Sequence, residues 1–92
     1  MKLILDKENK ESALFDQDKK IGSCQYEIRG DDLEITHTLV DKAYGGRGLA
    51  KKLLDEVVGF ARSTNKKIIP TCSYAKNKFE NDKSYEDVYK KN

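Results

Sequence analysis

The chain has 92 residues, of which 37% are charged and 37% apolar, and its 18 basic and 16 acidic side chains leave a formal charge of +2. This length predicts one domain over residues 1–92 with a modest core. Because the lysines are spread along the chain in pairs, the composition disfavours the concentrated basic surface of a nucleic-acid-binding protein.

The first residues and the two cysteines bear on the cellular compartment. The apolar run at residues 3–5 is shorter than the core of a signal peptide, which needs about 7–15 residues, and far shorter than a membrane helix. We therefore expect a cytoplasmic protein with no membrane partner. A monomer or weak dimer is expected. Cys24 and Cys72 lack CxxC spacing, which predicts two free thiols in a reducing compartment, whereas in a secreted protein they could form one disulfide. No metal site is predicted.

The first forty residues predict a meander of antiparallel strands. Short apolar segments at 3–6 and 12–16 predict the first two strands, and the polar run 17–20 predicts the connection that follows. Cys24, Tyr26 and Ile28 alternate with polar residues, which predicts a half-buried strand. After a turn at residues 30–32, a further strand alternates in the same way, and its inward face is expected to carry Leu33, Ile35, His37 and Leu39.

The hydrophobic period changes near residue 49. Leu49, Leu53 and Val57 follow the three-to-four spacing of an amphipathic helix of about four turns, which Asn65 is expected to end. The short apolar run Ile68-Ile69 predicts a covered strand, and a second helix is expected over residues 73–80. A strand, a helix and a strand in this order predict a parallel crossover unit, so the fold class is α+β with a mostly antiparallel sheet.

Three of the six glycines lie at residues 45–48, between the last meander strand and the first helix. A glycine-rich turn allows close approach of a ligand, and the helix start offers free N–H groups, so the combination predicts a phosphate site. The cations Arg47, Lys51 and Lys52 lie at the positive end of the helix dipole, a conflict that a bound polyanion would remove. The P-loop and dinucleotide fingerprints both fail here, because Leu53 replaces the P-loop hydroxyl and Lys51 the third glycine.

The turn resembles the [RQ]-x-x-G-x-[GA] motif of the GCN5-related N-acetyltransferases, with Gly45 at the first position in place of arginine or glutamine. The resemblance covers residues 21–89 and is to the small, single-domain bacterial members of that family, which carry a cysteine after the second core strand. It is carried by His37-Thr38, Tyr44-Gly45-Gly46-Arg47-Gly48-Leu49-Ala50, residues 68–75 and Ser84-Tyr85-x-x-Val88. It implies a minimal acetyltransferase fold with acetyl-CoA as cofactor.

The same resemblance implies a set of cofactor-binding residues. The pyrophosphate of coenzyme A is expected on the backbone of the turn and helix start, and the pantetheine arm on the main chain of the preceding strand. The residues concerned are Leu39 and Val40 for the arm, and Tyr44, Gly45, Gly46, Arg47, Gly48, Leu49, Ala50 and Lys51 for the pyrophosphate.

Three side chains are candidate catalytic residues. Cys72 follows the Ile68-Ile69 strand and opens a helix, where it could accept the acetyl group, only position it, or simply fill space. His37, the one histidine, could deprotonate an incoming amine or be a core residue. Tyr74 could protonate the departing CoA thiolate or pack under the helix.

These expectations together predict acetyl transfer from acetyl-CoA to an amine acceptor, with the acceptor itself not predicted. The alternative is a non-catalytic acyl-CoA-binding or regulatory module, which the small size favours. The placement of Cys72 and His37 favours the enzyme.

Overall fold

The computed structural model describes residues 1–91 and shows a five-stranded sheet in the order β1-β2-β3-β4-β5. The pairs β1–β2, β2–β3 and β3–β4 are antiparallel, whereas β4–β5 is parallel. The strands are β1 Lys2–Asp6, β2 Glu11–Asp16, β3 Lys19–Arg29, β4 Asp32–Val40 and β5 Ile68–Pro70. The α+β prediction, with a mostly antiparallel sheet and one parallel crossover, is confirmed.

The helical elements follow β4 in the chain. They are a 3-10 turn at Lys42–Tyr44, α1 at Leu49–Ser63, α2 at Ser73–Asn81 and a 3-10 segment at Lys83–Val88, and β5 lies between α1 and α2. Residues 19–20, predicted as part of a connection, instead open β3, because Gln17 takes a left-handed conformation (φ 55°) and closes the β2–β3 hairpin earlier. None of the helices in residues 1–91 combines the length and apolar character needed to cross a membrane.

One face of the sheet holds the core. Leu53 and Val57 of α1 are fully buried, and the Ser12 hydroxyl of β2 donates to the Leu53 carbonyl at 2.7 Å, which fixes α1 across the strands. α2 and the 3-10 segment lie beside α1 on the same face, where the Phe79 and Tyr85 rings stack with centroids 4.9 Å apart. The core therefore lies between this face of the sheet and a single helical layer.

A β-bulge in β4 reverses the predicted alternation. Gln25 of β3 pairs with His37 but Tyr26 pairs with Ile35, so Thr36 is an extra residue. Beyond the bulge every side chain lies on the opposite face from that expected. The prediction that His37 and Leu39 point inward is therefore wrong: His37 is exposed and Leu39 is 60% exposed.

Ile28 is a second departure from the predicted burial. It keeps the alternation of Cys24 and Tyr26 but is 54% exposed. It pairs with Leu33 next to the end of the β3–β4 hairpin, where Arg29 pairs with Asp32. The predicted alternation along β3 is therefore correct, but the burial does not extend to its last inward-facing residue.

Pairing between β4 and β5 stops half-way along β4. Ile68–Pro70 pair with residues 33–35, and the backbone N–H groups of Thr71 and Cys72 both donate to the Ile35 carbonyl at 3.1 Å. No strand within residues 1–91 continues the pairing along residues 36–40. A slot, defined here as the space between β4 residues 36–40 and the start of α2, is the result.

The 3-10 segment is fastened to α1 by polar contacts. The hydroxyl of buried Tyr85 donates to Asp55 Oδ1 at 2.5 Å, and burial together with this bond raises the pKa of Tyr85 above its usual value of 10.0. Arg62 holds the same segment by donating to both oxygens of Asp87 and to the Ser84 carbonyl. The C-terminal segment is therefore part of the wall around α1.

Tyr85→Phe is expected to lower the free energy of unfolding by about 1.5 kcal/mol, because a bond to a charged acceptor is lost while the ring stays. In a domain of this size that corresponds to a melting temperature lower by about 5–10 °C. The folded pKa lies above the unfolded one, so this contribution is present below about pH 10 and decreases above it. Thermal unfolding of both proteins between pH 7 and 11 measures the difference.

The matched control is Tyr89→Phe, which removes a hydroxyl that bonds to no side chain among residues 1–91 and keeps the edge-to-face contact with Phe79 at 5.3 Å. Its effect should stay within about 0.5 kcal/mol. Equal losses in the two variants would contradict the assignment of the Tyr85–Asp55 bond.

Candidate functional site

The glycine turn has a backbone that favours glycine at two positions. Gly46 (φ 77°) and Gly48 (φ 71°) are left-handed, a conformation that costs other residues about 1–2 kcal/mol. A Cβ atom at either position would meet no other atom within 4 Å. The space above the turn is therefore open, and the backbone is accessible from that side.

The start of α1 is arranged to receive an anion. Gly48 is its N-cap and offers no side-chain acceptor, and no acidic residue lies in the first turn. The first N–H groups and the positive end of the helix dipole thus face the open space above the turn. Leu49 is buried, so it can contribute only its backbone N–H to a ligand, and half-buried Ala50 follows it.

Two cations near the turn are held differently. The Arg47 guanidinium lies 5.4 Å from the centroid of the Tyr44 ring, and the Tyr44 hydroxyl donates to Asp16 Oδ2 at 2.6 Å, which raises the pKa of Tyr44. Arg47 therefore remains beside the turn. Lys51 instead forms an ion pair with Asp55 at 2.7 Å, one helical turn further along α1.

The slot borders β4 residues 36–40, and the 3-10 turn connects this strand to the glycine turn. In antiparallel strands successive residues direct their backbone groups alternately to the two neighbouring strands, so part of the β4 main chain at residues 36–40 faces the slot. Leu39 and Val40 lie on this stretch, Leu39 exposed and Val40 half-buried against the core. A ligand that leaves the turn along β4 would meet free backbone donors and acceptors.

Cys72 lies on the α2 side of the slot, next to Thr38 of β4. It is the N-cap of α2, is half-buried, and its sulfur accepts from the Ala75 N–H at 3.4 Å. Thr38 Oγ1 lies 3.5 Å from the Cys72 sulfur and 3.6 Å from that of Cys24. Burial raises the pKa of the Cys24 thiol to about 12, so Cys24 is a thiol at neutral pH. It is a fully buried core residue, as predicted.

The other two candidate catalytic residues lie on opposite sides of the sheet. Tyr74 follows Cys72 in α2, and its pKa is raised by partial burial and by the Asp55 carboxylate. His37 lies opposite Gln25 of β3 on the face of the sheet that no described helix covers, which we call the bare face. Cys72 and Tyr74 thus share the helical side of the slot, and His37 is placed on its other side.

Three residues near the site were not predicted from the sequence: Asp16, Thr38 and Asp55. Asp55 follows Lys51 by four residues on one helix, a spacing that predicts an ion pair. Thr38 is turned inward only by the bulge, and Asp16 meets Tyr44 only through the fold. Neither contact has a local signal in the sequence.

Comparison with known proteins gives one family and several solved structures. A family model described as GCN5-related N-acetyl-transferase matches residues 11–88. The chain is 34% identical to a GCN5-like protein from Staphylococcus aureus, over 97% of this chain and 87% of that one, with a TM-score of 0.78 for its NMR solution structure. No curated protein matches the chain.

The second structure is that of Rv2747 from Mycobacterium tuberculosis, a crystal structure in complex with CoA and NLQ. Its TM-score is 0.60 at 18% identity, over 77% of this chain and 47% of that one. At that identity the similarity concerns the fold.

Proposed function

The chain belongs to the GCN5-related N-acetyltransferase family, and from that premise we propose that it binds acetyl-CoA and transfers the acetyl group to a primary amine. One arrangement carries this proposal: β4, which leads toward the open glycine turn, is unpaired on its β5 side at residues 36–40, and Thr38 of this stretch contacts the half-buried sulfur of Cys72. The proposed path of the cofactor runs from the turn along this stretch of β4 to Cys72. That path has an anion site at one end and a nucleophile at the other, as a charged pyrophosphate and a thioester require.

The cofactor lies along this path in three parts. The pyrophosphate takes the N–H groups of the turn and helix start, Tyr44 to Lys51, with Arg47 beside it as a charge partner. The pantetheine arm bonds to the main chain at Leu39 and Val40. The thioester then reaches the start of α2. The CoA complex of the M. tuberculosis protein supports this use of the fold.

Cys72 is the proposed acetyl acceptor. Its thiolate forms a bond to the acetyl carbonyl carbon, the carbon–sulfur bond to CoA breaks, and the departing CoA thiolate takes a proton from Tyr74 or from water. A neutral amine then attacks the acetyl-cysteine, the thiolate of Cys72 leaves, and the amine loses a proton. The Ala75 N–H, 3.4 Å from the sulfur, holds the Cys72 side chain at the start of α2 in both steps.

The amine is proposed to arrive from the bare face of the sheet. His37 is exposed there on the strand that borders the slot, so it can take the proton of an arriving ammonium ion. The same bare face favours the alternative, a non-catalytic acyl-CoA-binding module, because the described helices all lie on the other face and leave the acceptor unenclosed.

CoA at about 100 times its dissociation constant is expected to stabilise the fold by about 2.7 kcal/mol, a thermal shift of about 10 °C. ATP and NAD at the same concentration are the controls and should shift the melting temperature much less. Release of CoA from acetyl-CoA with a panel of polyamines, amino acids and lysine peptides tests turnover. A larger shift with ATP or NAD would contradict the cofactor, and binding with no turnover on any amine would favour the module.

A further inference from the structure

Thr38 has an unusual environment for a hydroxyl group. Its oxygen lies between two sulfur atoms, 3.6 Å from Cys24 and 3.5 Å from Cys72, on the inward side of β4. Burying a hydroxyl against the core is unfavourable unless it is hydrogen-bonded, and a valine of the same shape would fill the position without that cost. The hydroxyl is therefore a feature that packing alone does not require.

The Thr38 hydroxyl and the thiols of Cys24 and Cys72 can form hydrogen bonds in two arrangements, which differ in the protonation of Cys72. Thr38 has one hydrogen to donate and lone pairs to accept. When Cys72 is a thiol, the Thr38 hydroxyl donates to Cys24 and accepts from Cys72. When Cys72 is a thiolate, the hydroxyl turns to Cys72, and the Cys24 thiol, kept protonated by burial, donates to the Thr38 oxygen. Both arrangements leave every group bonded.

We infer that Thr38 is a positioning residue that orients Cys72 and stabilises its thiolate through a hydrogen-bond chain that begins at Cys24. This inference rests on the proposed role of Cys72 as acetyl acceptor. With the Thr38 hydroxyl and the Ala75 N–H both donating, the sulfur has two donors from two different elements, β4 and α2. Two donors from different elements hold the sulfur in one orientation and are complementary to a negative charge on it.

Few other titratable groups act on Cys72 within residues 1–91. Cys24 lies on the β3 side and remains neutral, and Tyr74 lies two residues along α2. Asp55 and Lys51 of α1 act on Tyr74, and they also form an ion pair with each other. His37, on β4, points to the opposite face of the sheet. A change in the behaviour of Cys72 after substitution of Thr38 can therefore be assigned to the lost hydroxyl.

The test is the pH profile of iodoacetamide alkylation at Cys72, read by mass spectrometry in the absence of cofactor. Thr38→Val is expected to move the midpoint upward by about one pH unit, the loss of one bond to a charged group. At pH 6–7 the fraction of thiolate should then fall about tenfold. The alkylation rate should fall by about threefold to tenfold, since the greater nucleophilicity of a more basic thiolate offsets part of that loss. Thr38→Ser, which keeps the hydroxyl, should restore the wild-type profile.

Thr36→Val is the matched control. Thr36 lies on the same strand, and its hydroxyl bonds to the Gln25 carbonyl at 3.4 Å, away from either sulfur. Its profile should match that of the wild type. If the midpoint in Thr38→Val stays within 0.2 pH unit of wild type, or moves equally in Thr36→Val, the inference is wrong. Thr38→Ala serves the same purpose if the valine variant does not fold.

The alkylation profile is measured on the free protein, so it does not depend on acetyl transfer. If the wild-type protein neither binds CoA nor turns over acetyl-CoA, the proposed function is wrong, but the alkylation profile of Cys72 can still be measured. A normal profile in Thr38→Val would overturn the hydrogen-bond chain and leave the proposed function intact.

Discussion

Gly48→Glu is expected to weaken CoA binding by at least about a hundredfold while the protein stays folded. The new side chain would place bulk and a negative charge where the pyrophosphate must lie, and a juxtaposition of like charges costs several kcal/mol. The left-handed backbone at Gly48 (φ 71°) adds about 1–2 kcal/mol of strain, a fraction of the stability of a typical domain. Isothermal titration calorimetry with CoA, together with thermal unfolding, measures both effects.

Gly30→Glu separates strain from the loss of the site. Gly30 is left-handed as well (φ 60°), and a Cβ atom there would also meet nothing within 4 Å, but it lies in the hairpin between β3 and β4. The two variants should therefore lose similar stability, whereas only Gly48→Glu should lose affinity. Unchanged CoA affinity in Gly48→Glu would place the phosphate site elsewhere in the molecule.

Local periodicity explains why α1 was predicted well. Leu49, Leu53 and Val57 are spaced for one buried helix face, and the helix runs from Leu49 to Ser63 as that spacing predicts. Asn65 is left-handed (φ 56°), which agrees with its predicted role at the end of the helix. Signals of this kind lie within a few residues of the feature that they specify.

The bulge at Thr36 had no comparable signal. The sequence alternates through residues 33–39 as an uninterrupted strand would, and only the register with Gln25 and Tyr26 of β3 inserts the extra residue. The consequence is large, since it moves His37 to the bare face and brings Thr38 to Cys72. The family motif predicts the glycine turn, but the arrangement of the thiols depends on pairing between strands.

The hydrogen bond between Tyr85 and Asp55 also lacked a local signal in the sequence, because its partners are far apart in the chain. Thirty residues separate the two groups, and their bond at 2.5 Å exists because α1 and the 3-10 segment pack side by side. The i,i+4 pair of Lys51 with Asp55 has a spacing that the sequence does display. The combination holds a carboxylate beside Tyr74, where it affects a candidate proton donor.

Wild-type protein incubated with acetyl-CoA and no amine is expected to gain one acetyl group on Cys72, and Cys72→Ser is expected to lose at least about a hundredfold in turnover. Serine is the informative substitution because Cys72 caps α2 through the Ala75 N–H, and a serine oxygen caps a helix well. Folding and CoA affinity should therefore persist while the thiolate nucleophile is lost. Intact-mass and peptide mass spectrometry locate the acetyl group, and CoA release measures the rate.

The control is Cys24→Ala, which removes the other thiol and should still yield an acetyl group on Cys72. Loss of the acetyl group in Cys24→Ala, or an acetyl group on Cys24 in the wild type, would contradict the assignment, since Cys24 is fully buried and burial raises its pKa to about 12. Cys72→Ala decides between the two chemical routes. Direct attack of an amine on the bound thioester needs no cysteine, so near-normal turnover in that variant would show that Cys72 only lines the slot. Loss of turnover with CoA affinity retained would instead identify the sulfur as the acetyl carrier, because nothing else in the binding path has changed.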